Sequence, residues 1–297
     1  MAKDPRNKTG GGRGSNQYGP KGFAKQRDSN SRPSRENLLQ SRAERRTPRE
    51  GSALDFAYNL ADIDTSRFIA TSAERAAARF RARKTDLIWN DVRLEGMVFT
   101  LPEVQTLIDG VTIDAKDPAE VEVVLNLSEA ANLMLDAART GVFSLEKTES
   151  DSLHSFIGKA EAIESGHFRG EGSATGGGQV NAMGDRFMAP DPGPGGSNLI
   201  EIHRVGLSEI DQIEHPVLRA VVYSAFAIRN QFYFDANKRT SRYMMNGHLI
   251  ANAYDGIVIP ERRRLEYNRA LHALFIEGDA QPYIEFTLSC YDDAPTE

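Results

Sequence analysis

The sequence predicts an all-α protein, and three observations carry that expectation. Apolar residues recur at helical spacing through most of the chain beyond about residue 53. Helix-start signatures precede several of these stretches. No alternation of strand and helix patterns occurs, which argues against a Rossmann-type or P-loop architecture.

The elements follow in chain order. Residues 66–83 are rich in Ala and Arg, both good helix formers, and are predicted as a helix. Thr100-Leu-Pro-Glu103 and Asp117-Pro-Ala-Glu120 each supply a capping side chain, an early proline and a glutamate at the third helical position. The second opens a long helix ending near Gly141, with Val121, Val124, Leu125, Ala131 and Leu135 as its buried stripe and Ser128 as a small polar interruption. Residues 146–160, through His154, read as another helix. Residues 166–196 break the pattern with Gly176-Gly-Gly178 and Gly193-Pro-Gly-Gly196; a loop of that length is functional or disordered. Helices resume at His215-Pro216, where Val217, Leu218, Val221, Val222, Ala225 and Phe226 form one stripe. A further helix begins near Asn237 and carries Tyr243, Met244, Leu249 and Ile250. The last two are residues 261–277, stopped by Gly278, and residues 283–291.

Composition narrows the function classes. The net charge of −6 conceals an asymmetry: residues 1–50 hold 13 Lys/Arg against 5 Asp/Glu, and the rest of the chain holds 23 against 37. That acidic body makes nucleic acid an unlikely partner, and only the basic segment speaks for one. Residues 1–50 are Gly-, Ser-, Asn- and Arg-rich without apolar periodicity and are expected to be a disordered basic tail, either merely solubilising or a targeting element. Residues 51–110 are expected to form N-terminal helices and residues 111–292 the core domain. No run of 18 apolar residues exists, so no membrane span is expected, and the N-terminus lacks the apolar core of a secretory signal. Cys290 is the only cysteine, which excludes an internal disulfide and a cysteine-based zinc cluster. Together these features suggest a cytoplasmic protein.

The chemistry concentrates in Gln231-Phe-Tyr-Phe-Asp-Ala-Asn-Lys-Arg-Thr-Ser-Arg242, between two helices. Ala236 is small enough for backbone amides to approach a ligand, and the following helix start supplies N–H donors and a positive dipole end. Arg239 and Arg242 project from one face and suit bidentate contact with phosphate oxygens. Asp235 suits a phosphate-bridging Mg2+. By charge spacing alone the same run reads more readily as a solvated helix start with Asp235 nearby.

This stretch resembles the core motif of the Fic (Fido) family, His-x-Phe-x-Asp/Glu-Gly/Ala-Asn-Gly/Lys-Arg-x-x-Arg, with Asp235, Ala236, Asn237, Lys238, Arg239 and Arg242 matching. The helix from His215 to Asn230, Gly166-His-Phe-Arg169, Leu153-His154 and the segment Gly278-Asp-Ala-Gln-Pro-Tyr-Ile-Glu-Phe286 resemble further family features, so the likeness covers roughly residues 85–292. It implies a Fic-type helical core with a small β-hairpin flap near residues 174–188, against which an extended segment of a target protein docks. It also implies ATP and Mg2+ as cofactors, and transfer of AMP to a Ser, Thr or Tyr hydroxyl. Asp91-Val-Arg-Leu-Glu95-Gly96 resembles the inhibitory helix of one class of the family, Ser/Thr-x-x-x-Glu-Gly/Asn, which implies a restraining pair between Glu95 and Arg242. Asp91 departs from the Ser/Thr of that pattern.

The motif departs from the family in three places. Gln231 stands where the family has its catalytic histidine, and an amide cannot titrate near neutral pH. Loss of such a base lowers a rate by roughly 10²–10⁴-fold. Tyr233 replaces Phe, and Lys238 replaces the Gly of most adenylylating members; Lys occurs in a branch that includes the Doc toxin, which transfers a phosphoryl group. His154, His167, His203, His215 and His248 are candidate substitutes for the base, with His203 favoured because it follows the flap loop. The expectation is therefore an impaired or altered, Glu95-restrained protein adenylyltransferase. The alternative is a nucleotide-binding pseudoenzyme acting as a binding or regulatory protein, and a homo-oligomer is compatible with either.

Overall fold

In a computed structural model, residues 52–113 and 116–291 are described, so the expected tail at residues 1–50 lies outside the described residues. The element that organises the rest begins where Asp117 accepts a hydrogen bond from the Ala119 N–H and Pro118 fixes the first turn. The chain before it supplies three helices: α1 (Ala73–Ala82), α2 (Lys84–Leu94) and α3 (Leu101–Ile108). The fourth, α4 (Pro118–Arg139), runs 22 residues and ends at Thr140 and Gly141, whose φ of 75° stops the helix. After α5 (Lys147–Ile157) comes a hairpin of β1 (Gln179–Ala182) and β2 (Asp185–Met188). Five helices complete the described chain: α6 (Ser197–Ile210), α7 (Pro216–Asn230), α8 (Asn237–Ala251), α9 (Arg264–His272) and α10 (Gln281–Ser289). Among the described residues the architecture is helical, as the sequence predicts, with one small antiparallel sheet, as the resemblance implies.

The core forms around α8, which packs on α7, α4, α5 and α1. Its C-terminal half is apolar, through Tyr243, Met244, Met245, Leu249 and Ile250, all buried. Its N-terminal half buries Asn237, Arg239, Thr240, Ser241 and Arg242 instead. Polar groups are almost never buried in such number without partners or a function. On α7 the predicted stripe widens to nearly the whole circumference, because Ala220, Tyr223 and Ser224 are buried too.

Several starts are as expected. Thr100 and Glu103 make a reciprocal capping box at α3. Residues 261–277 form a short 3-10 turn (Glu261–Arg263), α9 and a π turn (Ala273–Glu277), and Gly278 at φ 65° ends the run.

Three expectations are corrected. Residues 66–72 are not helical: Ser72, in extended conformation, caps α1 by accepting from the Arg75 N–H, and the cap outweighs propensity upstream. On α4, Leu125 is exposed and Val121 only half-buried, because the buried face runs through Val123, Leu127, Ala130, Met134 and Ala138 alongside Val124, Ala131 and Leu135. Helix α6 interrupts a region read as non-helical. Its stripe of Leu199, Leu207 and Ile210 is broken by buried His203 and Gly206, which hides the period. Gly206 is required by packing, since a Cβ there would lie 2.4 Å from the Phe226 ring.

The hairpin lies within residues 166–196. Its register pairs Gln179 with Met188 and Ala182 with Asp185 across the two-residue turn Met183-Gly184. Both turn residues have positive φ, 53° and 101°, the geometry that matches strand twist. The hairpin is tethered to the helices by Phe187, whose ring centroid is 5.2 Å from that of Phe275, and by Asp185, which pairs with His272 at 2.8 Å.

Candidate active site

Helix α7 ends at Gln231, whose backbone is left-handed (φ 46°, ψ 56°). The chain turns through residues 232–236 and re-enters helix at Asn237 after a second left-handed residue, Ala236 at φ 57°. Two side chains hold this turn. Asn237 accepts from the Tyr233 N–H at 2.9 Å and donates to the Tyr233 carbonyl at 2.8 Å, so it staples the loop across one helical turn. Buried Arg169 donates to the carbonyls of Gln231 at 2.6 Å, Pro190 at 3.1 Å and Asn230 at 3.4 Å, while its own N–H donates to the Phe232 carbonyl at 2.7 Å. The Tyr233 hydroxyl reaches Ser150 at 2.8 Å and Asp151 at 2.9 Å on α5.

The result is a helix start with no side-chain cap. Its first N–H groups have no intrahelical partner and point out of the helix end. A cavity of about 230 Å³ opens there. Gln231, Asp235, Ala236, Asn237, Lys238 and Arg239 form its floor, Glu95 one side, Val180 to Met183 of the hairpin its cover, and Asn268, Leu271 and Phe275 its far wall. The turn and the hairpin, far apart in their chemistry, thus meet over one small volume.

The expected cradle is only partly assembled. Lys238 and Arg239 line the cavity, whereas Arg242 does not. Arg242 is fully buried; its Nε donates to Asp91 at 2.7 Å and one terminal nitrogen to the Tyr267 hydroxyl at 3.0 Å. Burial opposes its charge, but the carboxylates of Asp91 and Glu95 hold the guanidinium firmly protonated. The Glu95–Arg242 approach is 3.8 Å without a hydrogen bond, and the direct partner of Glu95 is Lys238 at 2.8 Å. Burial works against the Glu95 charge, yet Lys238, Arg242 and Arg239 keep its carboxyl below the ordinary range. Arg239 is paired with Glu161 at 2.5 Å.

Gln231 lines the cavity floor, but its amide is engaged by the protein. Its amide nitrogen donates to the Ile228 carbonyl at 2.7 Å and its oxygen faces the Asn237 amide at 3.3 Å. Among the five histidines weighed as a substitute base, none lines the cavity. His154 lies behind the turn, stacked on Tyr233 at 3.7 Å. Its Nδ1 accepts from the Gly166 N–H, which leaves Nε2 to donate to the Asp235 carbonyl at 3.2 Å. His203, the favoured candidate, is buried against Phe168, Phe226 and Phe232, because α6 turns it into the core. Burial pushes both imidazoles down to about 4. His215 caps α7, and His248 sits beside Asn252 at the far end of α8.

Asp235 is exposed and lines the cavity; one carboxylate oxygen accepts from the Ala236 N–H at 2.6 Å. Among the described residues no three His, Cys, Asp or Glu side chains converge on a metal position. A single carboxylate fits Mg2+ that arrives with phosphates and keeps its waters. Sequence reading missed Asp91 and Glu161 as partners, Arg169 as the brace of the turn, and Asn268, Leu271 and Phe275 as the far wall.

Comparison with solved structures identifies the architecture. The chain superposes on a Fic domain containing signaling protein from Bacteroides thetaiotaomicron with a TM-score of 0.60 and 19% identity, over 76% of this chain and 88% of that one. The fold is the Fic fold. Fic-1 (aa134 - 508) from C. elegans matches with a TM-score of 0.58 and 18% identity over 76% of this chain and 64% of that one. In sequence, the chain is 28% identical over 266 residues to Protein adenylyltransferase Fic of Drosophila persimilis, covering 87% of this chain and 49% of that protein. It is 27% identical over 237 residues to the Drosophila ananassae protein of the same name, covering 78% and 46%. The chain therefore spans about half the length of the curated relatives it matches. No family model matches it. Among the described residues, no helix of this Fic fold is long and apolar enough to cross a membrane.

Proposed function

We propose that this chain is a Fic-type protein adenylyltransferase of the cytoplasm, slowed by Gln231 and restrained by acidic side chains at the end of α2. The observation that carries the reading is the uncapped start of α8, closed over by the hairpin, with Asp235, Lys238 and Arg239 facing one cavity. That is an anion site with a carboxylate beside it, the combination a magnesium-bound nucleotide requires. Likeness to proteins named adenylyltransferases supports AMP transfer as the reaction.

In this reading the N–H groups of α8 and the Arg239 guanidinium would take the phosphates beyond the α-phosphorus, and Asp235 would hold Mg2+, which would supply charge neutralisation to the departing pyrophosphate. The wall of Asn268, Leu271 and Phe275 takes the base. A Ser, Thr or Tyr hydroxyl of a target lies along β1, whose second edge is unpaired among the described residues. Its oxygen bonds the α-phosphorus as the bridge to pyrophosphate breaks. The proton leaves to water, because Gln231 cannot accept it, and positioning and electrostatics carry the remaining acceleration.

A second reading, a nucleotide-binding pseudoenzyme, is favoured by one observation: both polar ends of the Gln231 amide are turned onto the protein itself. The experiment that separates the two is mass spectrometry after incubation with ATP and Mg2+, comparing Glu95→Gly with Glu95→Gly/Gln231→His. An AMP adduct in the Gln231 form supports the enzyme. An adduct only after Gln231→His makes the chain a pseudoenzyme on an intact scaffold. Absence of both adducts and of nucleotide binding would remove both readings.

A further inference from the structure

Arg229, in the last turn of α7, does not line the cavity, yet it touches two parts of the chain that enclose it. The helical run through α9 ends in the π turn Ala273–Glu277, a rare widening that is frequent at functional sites. The last carbonyls of any helix lack partners within it. Here one terminal nitrogen of Arg229 donates to two of them, those of Leu274 and Phe275, the latter at 3.0 Å. The ring of Phe275 belongs to the far wall of the cavity and rests on Phe187 of the hairpin. The guanidinium carbon lies 4.8 Å from the Phe187 ring centroid, a cation–π contact. Phe187 in turn pairs in register with Val180, part of the cavity's cover. The Arg229 Nε donates to Asp55 at 2.8 Å, in the segment whose Ala57 N–H donates to the Gly278 carbonyl just past the π turn.

We propose that Arg229 is a positioning residue: from outside the cavity it joins the far wall and the hairpin cover into one unit. This rests on the reading in which Asn268, Leu271 and Phe275 take the nucleobase. Two rings in contact tolerate sliding, because dispersion has little direction. A planar cation that bonds the carbonyl behind one ring and covers the other ring removes that freedom. Lysine brings the same charge without the plane or the fork, so Arg229→Lys keeps the electrostatics and loses the joint. The phosphate end is held separately. Arg169 and Asn237 brace the turn ahead of α8 through bonds that do not involve Arg229. Loosening the joint therefore weakens the hold on the base and spares the hold on the phosphates.

The test is titration calorimetry of wild type and Arg229→Lys with two ligands, magnesium-ATP and magnesium with inorganic triphosphate, which has no base. Thermal melting comes first, and Arg229→Gln, which keeps a donor, replaces Arg229→Lys if the latter melts early. Affinity for magnesium-ATP is expected to fall by about fivefold or more, and affinity for triphosphate to stay within about twofold. An equal loss for both ligands, or no loss for either, would overturn the proposal, since a merely structural residue would not separate them. If wild type binds the two ligands equally, the base-binding wall is the part of the reading that fails. If it binds neither, the nucleotide reading falls. A second measurement then decides the role of Arg229 without any ligand: the NMR cross-peak between the Phe187 and Phe275 rings, with amide exchange at Val180. Loss of the cross-peak and faster exchange in the variant, with exchange in α4 unchanged, support the joint. A cross-peak and exchange rate that both survive the substitution sink it.

Discussion

The Glu161 carboxylate meets the guanidinium of Arg239, part of the cavity floor at the α8 start, at 2.5 Å. Arg239 is 3% exposed, and its Nε makes no hydrogen bond. All three cations that follow Asn237 are thus neutralised by the protein itself, each by a carboxylate from outside α8. Glu161→Gln is expected to lower stability by roughly 1–3 kcal/mol, the cost of a polar group left poorly paired. It is also expected to raise affinity for inorganic pyrophosphate. Chemical denaturation and calorimetry check the two effects on the same protein, and unchanged affinity would show that Arg239 does not serve the anion.

Arg169 predicts a larger mechanical effect. It donates to three carbonyls around the turn, and Arg169→Lys cannot reproduce a planar fork. Each carbonyl left unsatisfied costs about 1–3 kcal/mol. The melting temperature should fall, and amide exchange at Phe232 and Tyr233 should quicken before exchange in the core of α4. Uniform quickening everywhere would mean that the residue stabilises the fold without bracing the turn.

Acid sensitivity follows from the buried histidines. Burial pushes His154, His203 and His248 down to about 4, from an unfolded value near 6.5. The unfolded chain therefore binds more protons between those values, so their contribution to stability is complete above about pH 6.5 and is lost as pH falls toward about 4. Each site accounts for on the order of 3 kcal/mol across that window. His203→Phe fits its aromatic surroundings and should flatten the fall in melting temperature between pH 6.5 and 4. An unchanged slope would mean that His203 is not the neutral buried group described.

The hairpin turn offers a gain rather than a loss. Met183 occupies a left-handed position that disfavours an L side chain by roughly 1–2 kcal/mol. Met183→Asn would place the preferred Asn-Gly pair in the turn. Exchange of the Val180 and Phe187 amides is expected to slow by about fivefold, the equivalent of 1 kcal/mol. Faster exchange would show that the Met183 side chain, which lines the cavity, contributes more than its backbone costs.

Much of this was legible because it is local. Spacing within residues 231–242 sets which side chains surround the α8 start, and capping at Thr100 and Asp117 sets where two helices begin. Partners contributed from a distance were not. Asp91 reaches Arg242 across 151 residues, and no periodicity encodes that meeting. A signal did exist: a carboxylate one turn ahead of Glu95, where the resemblance expects a hydroxyl. Helix α6 was hidden because His203 and Gly206 occupy core positions without reading as core residues. The histidines misled for the converse reason, since residue type says nothing about whether a ring faces a cavity or a cluster of phenylalanines.

The Asp91–Arg242 pair has a consequence for how the protein can be divided. Asp91 belongs to the helices that precede α4, and Arg242 to the helix at the centre of the core. A fragment beginning at residue 111 would keep the guanidinium at its centre and lose its closest counter-charge, at a cost of about 3–5 kcal/mol. That is a large share of the stability of an ordinary domain. The leading helices are thus not an appendage to be trimmed away for convenience: the core's own arginine draws its closest counter-charge from them.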